Sequence, residues 1–400
     1  MKSSVELDSG ESVPRGDDPD QLGHDNAPDR ASEQARVDGR IFVYRQYDVG
    51  HAVDLARTCE LLATSSPDRS GHSSGGAQAS QIAVVPVTVP LPSEPHKVGT
   101  RLLPSTCSAR IFDFAVVSLR IELQLPADMP WSEFADSGNR VDLVRDLAPV
   151  LDGHLKTLIE QIGPAIKRAQ LAPVTEDYVV FRIDALRDGV GHPLDTNRLV
   201  DQDMVLLLLD EHRPLAPEAL HELLPHRFSY FADDLALLTW NNALVVEPDA
   251  KNSSVQDVLE FANAQLLELR VYDAILDLEL PKMVARINAA RGRSGYRVGR
   301  RFAPLLGQLQ SLVGNASETV ERIENSLRVT DDVYLARIYA AALEVFRGRA
   351  WRTGIDRKLA TLRETYKMLN LEAQAARSEV LELTVVGLIL VELVLAVLQR

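Results

Sequence analysis

The pattern of hydrophobic and polar positions changes near residue 250. Before that point, short alternating runs predict strands. The first is RIFVYRQYDVG, with Ile41 and Val43 on one face and Phe42 and Tyr44 on the other. Further strands are predicted in ARIFDFAVVSLRIELQL, in EDYVVFRIDAL and on both sides of the turn in LALLTWNNALVVEP. Helical periods lie between these runs, so residues 40–248 are predicted to form one α+β domain of mixed strands and helices.

Three segments add detail to that prediction. A helix is expected from Trp131 to about Ala169 with a break near Gly163, and MVLLLLD fits either a short buried strand or a helix. Residues 64–105 are rich in Ser and Gly and then in Pro, which predicts a flexible insertion or an edge segment. Residues 1–39 are acidic with few large apolar side chains, so they are predicted to be disordered.

From Ser254 onward the hydrophobic period is helical. Apolar residues recur in alternating steps of four and three from Phe302 to Leu327, and again from Ile355 to Leu383. This spacing is typical of a coiled-coil seam. We expect residues 254–382 to form an antiparallel helical hairpin bundle, with packing inside one chain favoured over a homotypic coiled coil. A helix between the two seams is predicted to start at an Asp cap in DDVYLARIYAAALEVFRG.

The last segment is apolar on every face. From Leu383 to Leu398 only Thr384 and Glu392 are polar, and such a helix is buried either in protein or in lipid. One interpretation is a transmembrane helix over residues 383–398, and the other is a lipid-free helix in the core of an oligomer. The transmembrane helix is favoured, and an acid at mid-depth in lipid suggests association with a partner. The residues assigned to this membrane or oligomer contact are Glu382, Gly387 and Glu392.

Composition limits the functional classes. A formal charge of -14 over 400 residues disfavours a surface built for nucleic acid or anionic lipid, because the charge repels both. Two unrelated cysteines, Cys59 and Cys107, fit free thiols in a reducing compartment. We therefore expect a cytoplasmic body anchored to a membrane by the C-terminal helix, at the inner membrane if the source is bacterial.

One helix carries a polar stripe along an otherwise apolar rod. The stripe consists of Glu260, Asn263, Arg270, Asp273 and Asp277. Its three carboxylates could hold a divalent ion in a metal-dependent enzyme, but an ion pair of Arg270 with the two aspartates explains the same pattern and is preferred. The common phosphate, dinucleotide, serine-hydrolase and zinc-protease motifs do not occur in the sequence. No metal or cofactor is predicted, and no catalytic residue can be named.

The segment RGRSGYRVGRR is the one concentrated run of positive charge in the sequence. Flexible arginines around an aromatic ring suit contact with phosphate or RNA. The residues concerned are Arg291, Arg293, Tyr296, Arg297, Arg300 and Arg301. A solvated linker is the simpler interpretation, so nucleic acid is expected at most as a local partner.

Several blocks, in their order along the chain, resemble the YagE/RMD family, which is named for proteins required for meiotic nuclear division. They are LTWNNALVVEP, LEFANAQLLELRVYDAILDLEL, DDVYLARIYAAALEVF, DRKLATLRETYKML and RSEVLELTVVGLILVE. The resemblance covers residues 228–398, and residues 40–227 only in general layout. It implies a domain of undefined biochemistry with a C-terminal membrane-spanning segment, and oligomeric mitochondrial members that support organellar translation at the inner membrane. Its terminal pattern falls on Arg377, Glu379, Glu382, Ile389 and Glu392.

These observations predict a membrane-anchored, non-enzymatic oligomeric scaffold or assembly factor. Its expected partners are further copies of the chain and a protein or ribosomal partner. Two alternatives remain open. One is a metal-dependent enzyme that uses Glu260, Asp273 and Asp277, and the other is an RNA- or ribosome-binding protein that uses Arg291–Arg301.

Overall fold

The structure is a computed structural model of the chain. It describes isolated positions between 211 and 219 and between 307 and 318, and residues 35–65, 86–99, 101–137, 140–196, 199, 201–209, 226–248, 254–291 and 332–398. Most of the predicted leader, residues 1–34, lies outside the described residues. Most of the predicted seam from Phe302 to Leu327 lies outside them as well.

The described strands and helices are mixed as far as residue 246, and only helices are described after it. The strands are β1 (Arg36–Asp48), β2 (Ala52–Val53), β3 (Val87–Leu91), β4 (His96–Val98), β5 (Arg101–Leu103), β6 (Ser105–Ile111), β7 (Val116–Gln124), β8 (Met129–Pro130), β9 (Ile166–Lys167), β10 (Thr175–Arg187), β11 (Arg227–Phe228), β12 (Leu235–Leu238) and β13 (Asn242–Val246). The helices are α1 (Leu55–Ser65), α2 (Trp131–Asp136), α3 (Arg140–Ile162), α4 (Asp201–Leu209), α5 (Ser254–Arg291), α6 (Val333–Val345) and α7 (Gly348–Leu398).

A nine-stranded mixed sheet forms the centre of the molecule. Its order is β11-β12-β13-β10-β1-β7-β6-β3, and β8 pairs with β1. Strands β10 and β13 run parallel, whereas β1 runs antiparallel to both β10 and β7. Ile41, Val43, Phe42 and Tyr44 are all buried, so β1 is apolar on both faces and suits a central position. The prediction of an α+β fold, with a mixed sheet followed by C-terminal helices, is confirmed.

Helices cover both faces of this sheet. One face packs against α2, α3 and α4, and the Tyr47 hydroxyl donates to Asp152 Oδ1 of α3 at 2.6 Å. The other face packs against α5, α6 and the start of α7. The core is therefore two apolar layers, one on each side of β1.

The sequence predictions within this region differ from the structure in a few places. The helix expected from Trp131 is divided into α2 and α3, and it ends at Ile162, where a 3-10 turn begins at Gly163. The described part of the ambiguous MVLLLLD segment, Met204–Leu209, is helical and lies in α4. The proline-rich strand β3 lies at the sheet edge, as its composition predicts. Strand β1 begins at Arg36, inside the segment predicted to be disordered, because Val37 and its neighbours pair with β10.

The C-terminal helices extend away from the sheet. The first half of α5 packs on the sheet beside α6 and Trp351, and its second half packs against α7 between Ile355 and Leu369. The early residues of both long helices therefore lie near the sheet and the late residues lie far from it, so α5 and α7 run in the same direction. Asp332 precedes α6 as its N-cap, and its Oδ1 accepts from the backbone N–H of Tyr334 at 2.7 Å, which confirms the predicted cap.

Candidate functional site

The sheet face beneath α5 carries charged side chains within an otherwise apolar layer. Arg110 Nη1 of β6 donates to Asp257 Oδ1 at 2.6 Å and to Glu260 Oε2 at 2.8 Å, both in the first turns of α5. The Glu260 side chain is 1% exposed. Burial disfavours the charged form of Arg110, but the charges of Glu260 and Asp257 outweigh that effect and raise its pKa. These ion pairs link the start of α5 to strand β6 of the sheet.

A second charged group links β10 and β1 to the same end of α5. Arg182 of β10 is 1% exposed, and its Nε donates to Asp184 Oδ1 at 2.9 Å while its Nη1 donates to Gln256 Oε1 at 3.1 Å. The Arg182 Nη1 also lies 3.5 Å from Glu247 Oε2. Arg40 of β1 reaches Asp184 Oδ1 at 2.8 Å. These pairs neutralise the buried charges and connect neighbouring strands.

The predicted polar stripe is present on α5, but its first members face the sheet. Glu260 belongs to the ion pair with β6. Asn263 Nδ2 donates to the backbone oxygen of Leu259 at 3.1 Å, and Arg270 pairs with Glu176 of β10. Glu260 and Arg270 therefore have partners on the sheet, and Asn263 has one within α5 itself.

The last two stripe residues, Asp273 and Asp277, face α7 instead. Lys358 Nζ lies 2.7 Å from Asp273 Oδ1 and 2.6 Å from Asp277 Oδ1. Burial disfavours the ammonium of Lys358, but hydrogen bonds to the two aspartates outweigh it and raise the Lys358 pKa. The predicted pairing of Arg270 with these aspartates is wrong, because Arg270 contacts the sheet while the aspartates contact the neighbouring helix.

The stripe does not have the geometry of a metal centre. Within the part of the chain that the structure describes, no group of three or more His, Cys, Asp or Glu side chains is placed to hold an ion. The carboxylates instead have cationic partners, Arg110 for Glu260 and Lys358 for the aspartates. These partners lie 150 and 85 positions away along the chain, so no local spacing in the sequence could have identified them.

A cavity of about 280 Å³, which no sequence pattern predicted, lies on the opposite side of the sheet, between the β4–β5 hairpin and the start of α3. Its floor is apolar and includes the buried Leu143 and Leu147. At its rim Glu133 pairs with Arg101, and Arg145 neutralises acids of its own helix. The cavity therefore combines an apolar floor with a charged rim, in which Glu133, Asp142 and Asp146 are paired with arginines.

The predicted arginine segment cannot be placed. Arg291 is the last helical residue of α5, and its side chain is not described. Arg293, Tyr296, Arg297, Arg300 and Arg301 lie outside the described residues. RNA or ribosome binding through this segment stays a prediction.

The distal end of α7, from Leu381 to Leu398, carries a large exposed apolar surface. Twelve large aliphatic side chains there are between 47% and 76% exposed: Leu381, Val385, Val386, Leu388, Ile389, Leu390, Val391, Leu393, Val394, Leu395, Val397 and Leu398. Glu382 and Glu392 are exposed between them. At Gly387 a Cβ atom would meet no other atom within 4 Å. All three predicted contact residues therefore lie on an exposed stretch of helix.

The predicted membrane anchor is wrong. A search of the described residues, α7 included, finds no helix whose length and apolar character suffice to cross a bilayer. A physical reason is that Glu382 and Glu392 enclose only nine residues. Nine helical residues reach about 14 Å, against a hydrocarbon core of about 30 Å. Two further predictions depend on this anchor and are wrong as well. They are the membrane as a partner and the membrane-anchored location, at an inner membrane or elsewhere.

The comparisons with known proteins match the part of the chain that forms the sheet. The family described as the N-terminal domain of uncharacterized protein MJ0711 matches residues 38–253, which end where α5 begins. Uncharacterized protein MJ0711 from Methanocaldococcus jannaschii is 27% identical over 190 residues, or 48% of this chain and 57% of that protein. The chain thus spans little more than half the length of this relative. No solved structure matches the chain. The chain belongs to the uncharacterised family of the MJ0711 N-terminal domain.

Proposed function

We propose that this protein is a non-enzymatic oligomeric scaffold, or assembly factor, of the YagE/RMD type, and that it assembles through the distal end of α7. The observation that carries the proposal is the set of twelve exposed aliphatic side chains from Leu381 to Leu398. Soluble monomers rarely expose apolar patches beyond about 300–600 Å². A surface of this size therefore favours a binding partner.

The size of the apolar surface fits a stable interface. If each half-exposed aliphatic side chain offers roughly 80–100 Å², the segment offers on the order of 1,000 Å² per chain. A standard protein–protein interface buries about 800 Å² on each partner. The total apolar area of the segment is therefore of the size that a specific interface buries.

The charged residues support a structural rather than a catalytic role for α5. Glu260, Asp273 and Asp277, which the enzyme alternative requires, are paired with Arg110 or Lys358. Such pairs hold α5 between the sheet and α7. They position the base of the helix that carries the apolar surface.

The experiment is a measurement of molar mass in solution by light scattering, over a range of protein concentrations. The full chain should form an oligomer, and the double variant Leu390→Gln, Val394→Gln should shift to monomer at the same concentrations because it places amides in the interface. Circular dichroism should remain unchanged, since both side chains are at least 50% exposed.

Val190→Gln provides a matched control. Val190 is 82% exposed and belongs to a turn after β10, so its replacement should leave the molar mass unchanged. A full chain that is monomeric at every concentration, or a double variant that associates as well as the parent, would refute the proposal.

A further inference from the structure

Helix α7 carries one hydrophobic seam along its length, and the first part of that seam already has a partner. Four seam residues are 0–2% exposed and pack against α5: Ile355, Leu359, Leu362 and Leu369. They follow steps of four and three, the spacing that brings apolar side chains to one face of paired helices. This first part is an established helix–helix interface within the chain.

The second part of the seam continues the same steps without a partner. Its positions include Gly387, Leu390, Val394 and Val397. The three aliphatic members are 60%, 50% and 71% exposed, so none of the described elements covers them. The unpartnered face is thus a direct continuation of the face that packs on α5.

The two carboxylates of this segment do not lie on the seam. At about 100° per residue, Glu392 lies roughly 180° from the centre of the seam, and Glu382 lies roughly 100° from it. A helix docked on the seam therefore leaves Glu392 in water. The expectation that Glu392 needs a partner inside an apolar layer does not apply to a docking on this face.

The direction of α5 limits how a second helix can dock. Lys358 of α7 pairs with Asp273 and Asp277 of α5, which sets the relative level of the two helices, and the last described turn of α5 ends at Arg291. At equal rise along two helices that run in the same direction, this turn reaches the level of about residue 373 of α7. Among the elements that the structure describes, none covers the seam beyond that level.

A parallel partner helix would collide with α5. If two copies of α7 faced each other along the seam in parallel, the partner helix would continue below residue 373 into the space that α5 fills. Packed helices lie about 8–10 Å apart, so α5 and a partner helix cannot occupy the same groove. An antiparallel partner helix ends at this level and meets the described end of α5 instead.

We propose that a second copy of this chain docks antiparallel along the distal seam of α7. The inference rests on the proposed oligomeric scaffold and adds the identity and orientation of the partner. The steps of the seam place residue 397 of one chain opposite residue 373 of the other, so the two-fold axis passes near residue 385. The overlap extends over about 37 Å of helix, and the two sheet regions lie at opposite ends of the paired helices.

The experiment measures distances between spin labels by pulsed electron paramagnetic resonance. One label is attached through Leu398→Cys and another, in a separate sample, through Val386→Cys. Both native side chains are more than half exposed, and neither lies on the seam. The exposed Cys59 is replaced in both samples by Cys59→Ser, while the buried Cys107 is retained.

The antiparallel pair predicts two different distances. Labels at position 398 should lie about 39 Å apart, and labels at position 386, next to the two-fold axis, should lie within about 10–15 Å of each other. A parallel pair would give short distances at both positions. The molar mass of each labelled sample, measured by light scattering, should be that of an even-numbered oligomer.

Failure of the antiparallel pairing and failure of the proposed scaffold would give different results. An oligomer with short distances at both positions, or with an odd number of copies, overturns the antiparallel pairing and leaves the proposed scaffold in place. A labelled chain that remains monomeric, like the unlabelled parent, and gives no intermolecular distance overturns both.

Discussion

The start of α5 and the distal end of α7 present different kinds of surface. Where α5 crosses the sheet, buried ion pairs such as Arg110 with Glu260 lie among apolar side chains. At the tip of α7 the surface is aliphatic, and its two acids lie off the seam. A buried ion pair adds little net stability but is costly to break, so it favours one fixed partner. An aliphatic helix face lacks that restriction and suits a partner from another chain.

The largest effect should follow from breaking the buried charge group under α5. Arg182→Met removes the cation that serves Asp184 and Glu247 while it keeps most of the side-chain volume. The free energy of unfolding should fall by about 3–5 kcal/mol, because Glu247 loses the nearby charge of Arg182 and Gln256 loses a buried donor, while Arg40 remains paired with Asp184. Urea unfolding followed by circular dichroism measures this change.

Arg145→Met is the control for this prediction. Arg145 pairs with Asp142 on the surface of α3, and the two side chains are 67% and 50% exposed. A pair of this kind contributes about 0–1 kcal/mol. Equal effects of the two substitutions would show that the buried group has no special role in holding α5.

The next effect compares two leucines on one seam of one helix. Leu362 is 1% exposed against α5, and Leu390 is 60% exposed beyond it. Leu362→Ala should lower the free energy of unfolding by about 2–5 kcal/mol, because it leaves a cavity. Leu390→Ala should change it by less than about 0.5 kcal/mol at concentrations where the chains are dissociated.

The effects of the two substitutions on association between chains should have the opposite order. Leu390→Ala should raise the dissociation constant of the oligomer measured by sedimentation equilibrium, while Leu362→Ala should affect it only through the fold. If Leu390→Ala destabilised the isolated chain as much as Leu362→Ala, the distal seam would have a partner within the same chain.

The same contrast explains what the sequence could and could not reveal. Periodicity is local, so it identified β1, β10, the turn before β13 and the seam of α7. It also identified the polar stripe on α5. The partners of that stripe could not be inferred, because Arg110 and Lys358 reach it only after the chain has folded. The distal end of α7 was wrongly predicted to cross a membrane, because that prediction gave its apolar composition more weight than the spacing of Glu382 and Glu392.

The smallest effect concerns pH and should appear only in the sheet region. Asp48, at the end of β1, is 5% exposed, and its Oδ1 accepts from the backbone N–H of Gly50 at 3.1 Å. Burial disfavours its carboxylate and raises the pKa of Asp48 to about 7. An aspartate in the unfolded chain has a pKa of about 3.9.

Between these two values the folded chain keeps a proton that the unfolded chain has released. The contribution of Asp48 to stability is therefore present at low pH and is lost as the pH rises through about 7. From pH 5 to pH 7 this group should lower the free energy of unfolding by up to about 2 kcal/mol. Asp48→Asn should remove that part of the slope and make the chain relatively more stable above pH 7, as measured by urea unfolding across the range. The same slope in the parent and in Asp48→Asn would assign the pH dependence to another group. The oligomer contact at the tip of α7 should show no comparable change with Asp48→Asn, because Asp48 lies in the sheet.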